Sequence, residues 1–513
     1  MWQSIVRTLR HRVVNMATVA AAALALAVAV VATSDRRVVA AAVPAQVRPT
    51  VSDYQRIAGS ETPPSEAQCN SVGRRCFAPQ SVRSAYNLQS LYDIGTDGRG
   101  ETIAIVDAYG SDTIAHDLHV YDQAFGLPPM CGEQGVTCAP GMPRFSRLHL
   151  QGAPATKAPP STAKSPGPED KSAWALEVAL DVEVAHAVAP AANILLVTTP
   201  TAETLGVQGF PQMMAAEQYV VDHHLADVIS QSFGSAEDAF GSARSLQNLR
   251  HAFISAADSG VTVVASSGDG GSANDTKQPV GKGGATIPYP TVSWPASDPL
   301  VLGVGGTYLC TAPTAAADQP RTVDSADPPV NCQTNPGVAE VGWIASGGGF
   351  SRVFERPAYQ DALPAGSTPI PAGQRGVPDV ALQASSRTGA LVYLSLPPDG
   401  QSGLICGADP CSTGWYDIGG TSLSAPQWAA MIALADQVNG GHGLGLVNPA
   451  VYRIAADPAR YANDFFDVTV GNNQADPDVP GYFASPGWDP VTGVGTPNAA
   501  NLVPDLVAAA HGH

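Results

Sequence analysis

The feature that most constrains the fold is an alternation of apolar, strand-like runs with helical patterns through the middle of the chain. Runs such as IAIVDA, NILLVTT, VISQS, VTVVASS and LVLGVGG are rich in β-branched residues, and amphipathic segments separate them. This alternation predicts an α/β fold with a central, mostly parallel sheet and helices on both faces. Ligands bind beyond the carboxyl ends of such strands, where Asp107, Phe233 and Asp269 follow three of them.

The composition is that of a globular protein with long loops. Of the 513 residues, 44% are hydrophobic and 14% are charged, while 51 glycines and 44 prolines indicate a turn-rich surface. The net charge of −18 argues against a nucleic-acid partner or an anionic membrane. The small number of cationic groups also suits acidic surroundings, because the positive charges then repel one another only weakly once the carboxylates are protonated.

The N-terminus has the pattern of an export signal. Arg7, Arg10 and Arg12 precede an apolar run from Ala17 to Ala32, which is shorter than the roughly 20 residues that a membrane span needs. We therefore expect residues 1–45 to hold a signal peptide region and the protein to be secreted, with no stable membrane partner. The sequence alone leaves an uncleaved membrane anchor open.

The rest of the chain divides into a short polar stretch and one large domain. Residues 46–77 lack periodicity, which predicts a linker or a short pro-segment, and the domain spans 78–513. Within it, the Pro- and Ala-rich stretch 152–170 predicts a surface loop insertion. Export permits disulfides, and of the 105 ways to pair eight cysteines we favour the one made of four local pairs, because each pair brackets a Gly-, Pro- or polar-rich loop. They are Cys69/Cys76, Cys131/Cys138, Cys310/Cys332 and Cys406/Cys411.

A candidate nucleophile stands in DIGGTSLSAPQ, where Ser422 follows Gly419, Gly420 and Thr421. A serine hydroxyl attacks poorly unless a neighbouring base accepts its proton, and that base is usually histidine. Of the eleven histidines, only His186 lies on a helix that carries other unusual polar groups. A lone histidine on such a helix is more often structural.

Carboxylates are the alternative base. In ALEVALDVEV, Glu177 and Asp181 share one face of a helix whose other positions are almost all apolar. Two buried acids side by side repel, which raises the pKa of one of them. That carboxyl can then act as a base, while the other carboxyl holds it in position. In SSGDGG, Asp269 follows a strand and, when protonated, would donate a hydrogen bond to an oxyanion. The structural alternative for Glu177 and Asp181 is a solvated acidic stripe on the helix surface, and for Asp269 it is an ordinary turn aspartate.

Taken in order, these residues resemble the catalytic set of the sedolisin family, the serine-carboxyl peptidases. The resemblance runs from about Ala78 to Leu502 and rests on IAIVDAYG, ALEVALDVEVAHAVAP, SSGDGG, SGGGFSRVFERPAYQ, RGVPDVAL and GGTSLSAP. It implies a subtilisin-like fold in which Ser422 attacks the scissile carbonyl and Glu177 is the general base. Asp181 would orient Glu177, and Asp269 would help to bind the oxyanion. We therefore expect an acid peptidase that acts on proteins or peptides as a monomer.

The resemblance also implies one structural Ca²⁺ in a C-terminal loop, residues 463–497. The segments NDFFDVTVGNN and YFASPGWDPVTGVGTP would supply the oxygen ligands that a hard cation prefers. These ligands are the carboxylates of Asp467 and Asp489 and the backbone carbonyls of Val468, Ser485 and Gly487. The Ser485 position is commonly glycine in the family, a change that costs little unless its φ is positive.

The sequence departs from the family in two respects. The stretch between the apolar run and Ala78 is too short for the large folded pro-region that family members generally carry. Phe233 stands where relatives often have tryptophan in the strand that lines the substrate groove, so substrate preference does not carry over.

Two other functions stay open on the sequence. A subtilisin-type triad would use Asp107, His186 and Ser422, but no His-Gly-Thr stretch follows Asp107. A secreted binding protein on an inactive peptidase scaffold is the other, and the presence of all four catalytic residues argues against it. The sequence does not set the cleavage specificity, the endo- or exopeptidase mode or the signal cleavage site.

Overall fold

A sheet of eight strands is the framework of the molecule. The order of its strands is β11-β10-β8-β6-β3-β5-β4, and β14 pairs with another part of β10. Neighbours run parallel except β11, which is antiparallel to β10. In chain order the strands are β1 (Arg48–Pro49), β2 (Tyr54–Ala58), β3 (Thr102–Ala108), β4 (Phe145–His149), β5 (Asn193–Thr199), β6 (Val228–Gln231), β7 (Phe233–Ala236), β8 (Thr262–Ser266), β9 (Ser293–Trp294), β10 (Leu302–Leu309), β11 (Glu340–Gly342), β12 (Gly349–Phe350), β13 (Gly376–Val377), β14 (Val380–Gln383), β15 (Ala390–Leu394), β16 (Ile405–Cys406), β17 (Asp409–Pro410), β18 (Gly414–Ile418), β19 (Phe465–Phe466) and β20 (Thr496–Pro497).

The structure is a computed structural model that describes residues 48–49, 53–150, 168–200, 209–274, 286–325, 330–396, 404–406 and 409–512. The predicted signal region 1–45 lies outside these residues. The α-helices are Glu66–Ser71, Pro79–Ala85, Gln89–Asp93, Ile114–Phe125, Pro168–Val188, Gly209–Asp222, Ala243–Gln247, His251–Ser259, Val330–Thr334, Thr421–Val438, Asn448–Ala456, Pro458–Asp464 and Ala499–Ala510.

Helices cover both faces of the sheet, as the alternation of elements predicts. Successive side chains of a strand point to opposite faces, so each strand contributes to two cores. On β3, Ile103 lies in the same core as Trp428, whereas the next residue, Ala104, lies in the core of Phe210. The α/β fold with a mostly parallel central sheet is therefore confirmed.

Two buried helices on one face carry three of the four candidate catalytic residues, Glu177, Asp181 and Ser422. The serine helix (Thr421–Val438) packs against strands β6, β8 and β10 and against the acidic helix (Pro168–Val188). Every residue of the serine helix from Thr421 to Asp436 is buried. Such a helix has no solvent face, which explains why its apolar residues show no amphipathic period.

The acidic helix begins at Pro168, three residues before the end of the predicted surface loop. Residues 168–170, predicted to belong to the surface loop 152–170, form the first turn of the helix. Proline has a backbone angle suited to the first helical position, which is where residue 168 lies. The remainder of the predicted loop lies outside the described residues.

The four predicted disulfides are all present: Cys69–Cys76, Cys131–Cys138, Cys310–Cys332 and Cys406–Cys411. Each closes a loop within the chain's local sequence, as expected. Within the described ranges, the helices are each too short or too polar to span a bilayer.

Candidate active site

Glu177 and Asp181 lie one turn apart on the acidic helix, and the side chains of both are fully buried. The flanking residues Leu176, Val178 and Leu180 are buried too. Both carboxyls are therefore enclosed by protein. The alternative of a solvated acidic stripe is wrong.

A third carboxyl, that of Asp107 near the end of β3, is buried in the same region. Among the described residues, neither of its oxygens has a hydrogen-bond partner, and burial raises the pKa of Asp107 to about 8. Burial likewise raises the pKa of Glu177 well above its usual value, and repulsion from Asp181 and then Asp107 adds to this rise. The pKa of Asp181 is raised by burial and by Asp107. These carboxyls hold protons at pH values where exposed carboxyls have lost theirs.

Ser422 is the second residue of the serine helix, and its side chain is buried. Gly420, just before the helix, has a φ of +129°, which favours glycine. A Cβ on Gly419 would lie 2.1 Å from a backbone nitrogen, so only glycine fits there. The Oγ of Ser422 is 3.5 Å from the carbonyl oxygen of Ser232, and the nearness of the Ser422 hydroxyl to Glu177 partly offsets the rise in the pKa of Glu177. Ser422 therefore stands between the end of β6 and the acidic helix.

Ser232 follows β6 and links the two helices. Its hydroxyl donates a hydrogen bond to Oδ1 of Asp181 at 3.0 Å, while its carbonyl faces Ser422. Ser232 was not predicted from the sequence, although its place at the carboxyl end of a strand was a usable signal. Its neighbour Phe233 is fully buried, and its ring packs on that of Phe210 with the centroids 6.3 Å apart.

Asp269 reaches the first turn of the serine helix from the loop after β8. Its Oδ1 accepts hydrogen bonds from the N–H of Thr421 at 2.8 Å and from the hydroxyl of Thr421 at 2.9 Å. The same hydroxyl accepts a hydrogen bond from the N–H of Gly268 at 3.0 Å. The charge of Asp269 is also one of those that raise the pKa of Glu177. Asp269 is thus part of the Ser422 and Glu177 cluster and not an isolated turn residue.

Comparison with known proteins tests the resemblance directly. The sequence pattern of the subtilase family matches residues 167–453, more than half of the chain. Kumamolisin from Bacillus sp. (strain MN-32) is 30% identical over 465 residues, which cover 90% of this chain and 69% of kumamolisin. The chain belongs to the sedolisin family.

Other sedolisin relatives agree with this assignment. Sedolisin from Pseudomonas sp. (strain 101) is 32% identical over 296 residues, covering 57% of this chain and 43% of that protein. The solved structure of Pseudomonas sedolisin, a serine-carboxyl proteinase complexed with two molecules of pseudo-iodotyrostatin, matches with a TM-score of 0.59. This match has 24% identity and covers 84% of this chain and 97% of the other. It shows the shared subtilisin-like fold, and the family makes the protein a serine-type peptidase of the sedolisin type.

His186 lies elsewhere in this sedolisin-family protein. From Glu177 to His186 the helix rises by roughly 13 Å, at about 1.5 Å per residue. The Nε2 atom of His186 is 3.2 Å from Oδ2 of Asp122 and 3.0 Å from the carbonyl oxygen of Pro128. Burial opposes protonation of His186, but the Asp122 carboxylate outweighs it and raises the pKa. The subtilisin-type triad of Asp107, His186 and Ser422 is therefore not formed.

The C-terminal loop brings Asp467 and Asp489 to the same short turn. The carboxylate of Asp489 is fully buried and accepts hydrogen bonds from the N–H of Ser485 at 3.0 Å and from that of Val491 at 2.8 Å. Asp467 is exposed and accepts from the N–H of Gly487 at 3.2 and 3.1 Å. Residues 485–487 therefore contact both carboxylates.

The oxygen atoms of this loop fit the calcium ion that the resemblance implies. The carbonyls of Val468, Ser485 and Gly487 accept no backbone hydrogen bond within the part of the chain that the structure describes, so they are available as ligands. Ser485 does not have a positive φ, so a serine is accommodated where the family commonly has glycine. In the described ranges, no three His, Cys, Asp or Glu side chains converge on a metal position. A cation here would depend on two carboxylates and on carbonyls.

Proposed function

We propose that this protein is a secreted acid peptidase in which Ser422 is the nucleophile and Glu177 its general base. The observation that carries the proposal is that Ser422 lies beside a buried pair of carboxyls, Glu177 and Asp181. The histidine on the same helix as that pair, His186, is paired with Asp122 instead. Secretion is supported by the N-terminal pattern and by four disulfides, which form in oxidising compartments.

In the first half of the reaction, the Ser422 hydroxyl adds to the scissile carbonyl and its proton moves to Glu177. Burial is the main cause of the raised pKa of Glu177, and a proton on Asp181 removes the repulsion that adds to it, which favours the charged form of Glu177 that accepts the serine proton. Asp269, when protonated, donates a hydrogen bond to the oxyanion. Glu177 then returns its proton to the leaving amine, and an acyl ester on Ser422 is left.

In the second half, water attacks the acyl ester and the same groups act in reverse order. Glu177 takes a proton from the water, Asp269 again donates to the oxyanion, and Ser422 regains its hydroxyl proton as the product acid leaves. The net reaction adds one water across one peptide bond. Ser232 holds Asp181 through its hydroxyl and so fixes the partner of the base.

Hydrolysis of denatured casein at pH 4 tests the function. We expect turnover at pH 4 and little at pH 8, because the proposed oxyanion donor Asp269 has to be protonated. The Ser422→Ala variant is the control for contaminating peptidases. A wild-type protein as inert as Ser422→Ala at pH 4 would support the inactive binding scaffold instead.

We also propose that Asp467, Asp489, Val468, Ser485 and Gly487 bind one structural Ca²⁺. The ion would be held by carboxylate and carbonyl oxygens, and it would join the segment around Asp467 to the turn 485–489. The site would lie in the C-terminal loop and would have no part in the chemistry. The donor set and the contact of both carboxylates with one turn support this site.

Removal of calcium should lower the melting temperature. An ion present at about 100 times its dissociation constant stabilises the fold by about 2.7 kcal/mol, which in a domain of this size is about 3 °C. We expect a chelator to produce this shift in the wild type and in Asp478→Ala, whose exposed carboxylate lies in the same loop outside the ligand set. Asp467→Ala should not respond to chelator. An equal response of Asp467→Ala and Asp478→Ala would rule out the site.

A further inference from the structure

Asn473 is a fully buried asparagine in the C-terminal loop, and its side chain joins several segments of backbone. The Nδ2 atom lies 3.2 Å from the carbonyl oxygen of Ser346, 3.3 Å from that of Gly348 and 3.1 Å from that of Pro490. The Oδ1 atom accepts a hydrogen bond from the N–H of Tyr482 at 2.8 Å. A buried amide that uses both its donor and its acceptor side fixes the segments that it joins.

Residues 346–348, which Asn473 holds, also contact the loop that carries Asp269. The N–H of Gly347 donates a hydrogen bond to the carbonyl of Gly268 at 2.8 Å. A Cβ on Gly347 would lie 2.1 Å from the carbonyl oxygen of Ser267, so the two backbones approach as closely as only glycine allows. Residues 346–348 therefore pack directly against the residues that precede Asp269.

Asn473 contacts the same loop again after Asp269. Its backbone carbonyl accepts a hydrogen bond from the N–H of Ser272 at 2.9 Å. A Cβ on Gly271 would lie 2.1 Å from the same carbonyl oxygen, so the backbones are in close contact here as well. Asn473 therefore holds the loop on both sides of Asp269, once through residues 346–348 and once through its own backbone.

The loop itself, residues 267–272, supplies little rigidity. Gly268, Gly270 and Gly271 make up half of its six residues, and glycine restrains the backbone least. An oxyanion donor nevertheless has to lie within about 2.7–3.1 Å of the oxygen that it stabilises. The position of Asp269 beside Ser422 therefore depends on the contacts that surround the loop.

We propose that Asn473 is a positioning residue that sets the place of Asp269 for the reaction. Asparagine suits this role because its short amide offers two N–H donors to the carbonyls of residues 346–348 and Pro490, and one oxygen to the N–H of Tyr482. Alanine would leave these buried groups without their partner, and the loop would lose its support. The inference rests on the proposed function in one respect, that Asp269 donates to the oxyanion.

A cycle of variants at positions 473 and 269 tests the proposal, with calcium in excess throughout. At pH 4 we expect Asn473→Ala to lower kcat about tenfold and to leave KM within about twofold, because a displaced donor weakens the transition state and not substrate binding. In the Asp269→Ala background the same change should lower kcat by less than about twofold, since the group that Asn473 positions is gone.

Asn472→Ala is the matched control. It makes the same change one residue earlier, where the Oδ1 atom of Asn472 accepts only from the N–H of Gln474 among the contacts described, and it should match its parent in both backgrounds. Asn473→Asp keeps the shape of the side chain and, when its carboxyl is protonated, one donor and one acceptor. At pH 4 it should therefore retain more activity than Asn473→Ala, and it replaces Asn473→Ala in the cycle if that variant does not fold.

Hydrogen exchange at the Gly347 amide provides a measurement that needs no turnover. We expect it to be faster in Asn473→Ala than in Asn472→Ala, with equal exchange at Ile105 in the core of the sheet. Unchanged exchange at Gly347, or equal fold losses of kcat from the position 473 change in both backgrounds, would overturn the proposal. An Asp269→Ala variant as active as the wild type would instead refute the oxyanion role of Asp269, and exchange at Gly347 would still decide whether Asn473 holds the loop.

Discussion

Glu177→Gln should lower kcat/KM at pH 4 by roughly 10²- to 10⁴-fold, the usual contribution of a general base. Glutamine keeps the size and polarity of the side chain but cannot accept the Ser422 proton. His186→Gln, on the same helix, should stay within about threefold of the wild type, since His186 pairs with Asp122 and not with Ser422.

Melting temperatures provide the control for this comparison, because both residues are fully buried. Activity should be expressed per folded molecule at a temperature well below both transitions. Loss of activity in His186→Gln, with normal turnover by Glu177→Gln, would assign the proton to histidine.

Asp269→Ala should lower kcat by roughly 10²- to 10³-fold, the usual cost of losing one oxyanion donor. Asp269→Asn should behave differently. Its amide keeps an oxygen that can accept from Thr421, as Asp269 does, and adds an N–H₂ group that donates at any pH. A carboxylic acid donates only while it is protonated, so activity in the wild type should fall as the pH rises and Asp269 loses its proton. In Asp269→Asn this alkaline decline should move to higher pH.

The pH profile of kcat in the three proteins is the measurement. Wild type and Asp269→Asn should share the acidic side of the profile, which reflects ionisation of the base, and differ on the alkaline side. If Asp269→Asn were as inactive as Asp269→Ala at every pH, Asp269 would not act as an oxyanion donor.

The sheet and the buried acidic pair could be predicted from sequence because each leaves a local pattern. Apolar runs mark the strands, and the spacing of Glu177 and Asp181 on an apolar helix marks a buried acidic face. The disulfides were predictable for the same reason, since each pair is close in sequence. Patterns of this kind depend only on neighbours along the chain.

Features that depend on contacts between distant segments were not predictable. The link from Ser232 to Asp181 joins a strand end to a helix, and nothing in the local sequence of either predicts it. Pairing of Arg48–Pro49 with β7 leaves no pattern in a two-residue strand. The role of Asp107 was open for a similar reason. Its position at a strand end suits both a triad aspartate and a member of a carboxyl cluster, and only its surroundings distinguish them.

The central claim is that Ser422 and Glu177 act as one unit, and a double-variant comparison tests it most directly. Values of kcat/KM at pH 4 are measured for Ser422→Ala, Glu177→Ala and the double variant on one peptide substrate. Since a base without its nucleophile contributes nothing, we predict that the double variant is little worse than either single variant. Losses that multiply in the double variant, or substantial turnover by Glu177→Ala alone, would contradict the account.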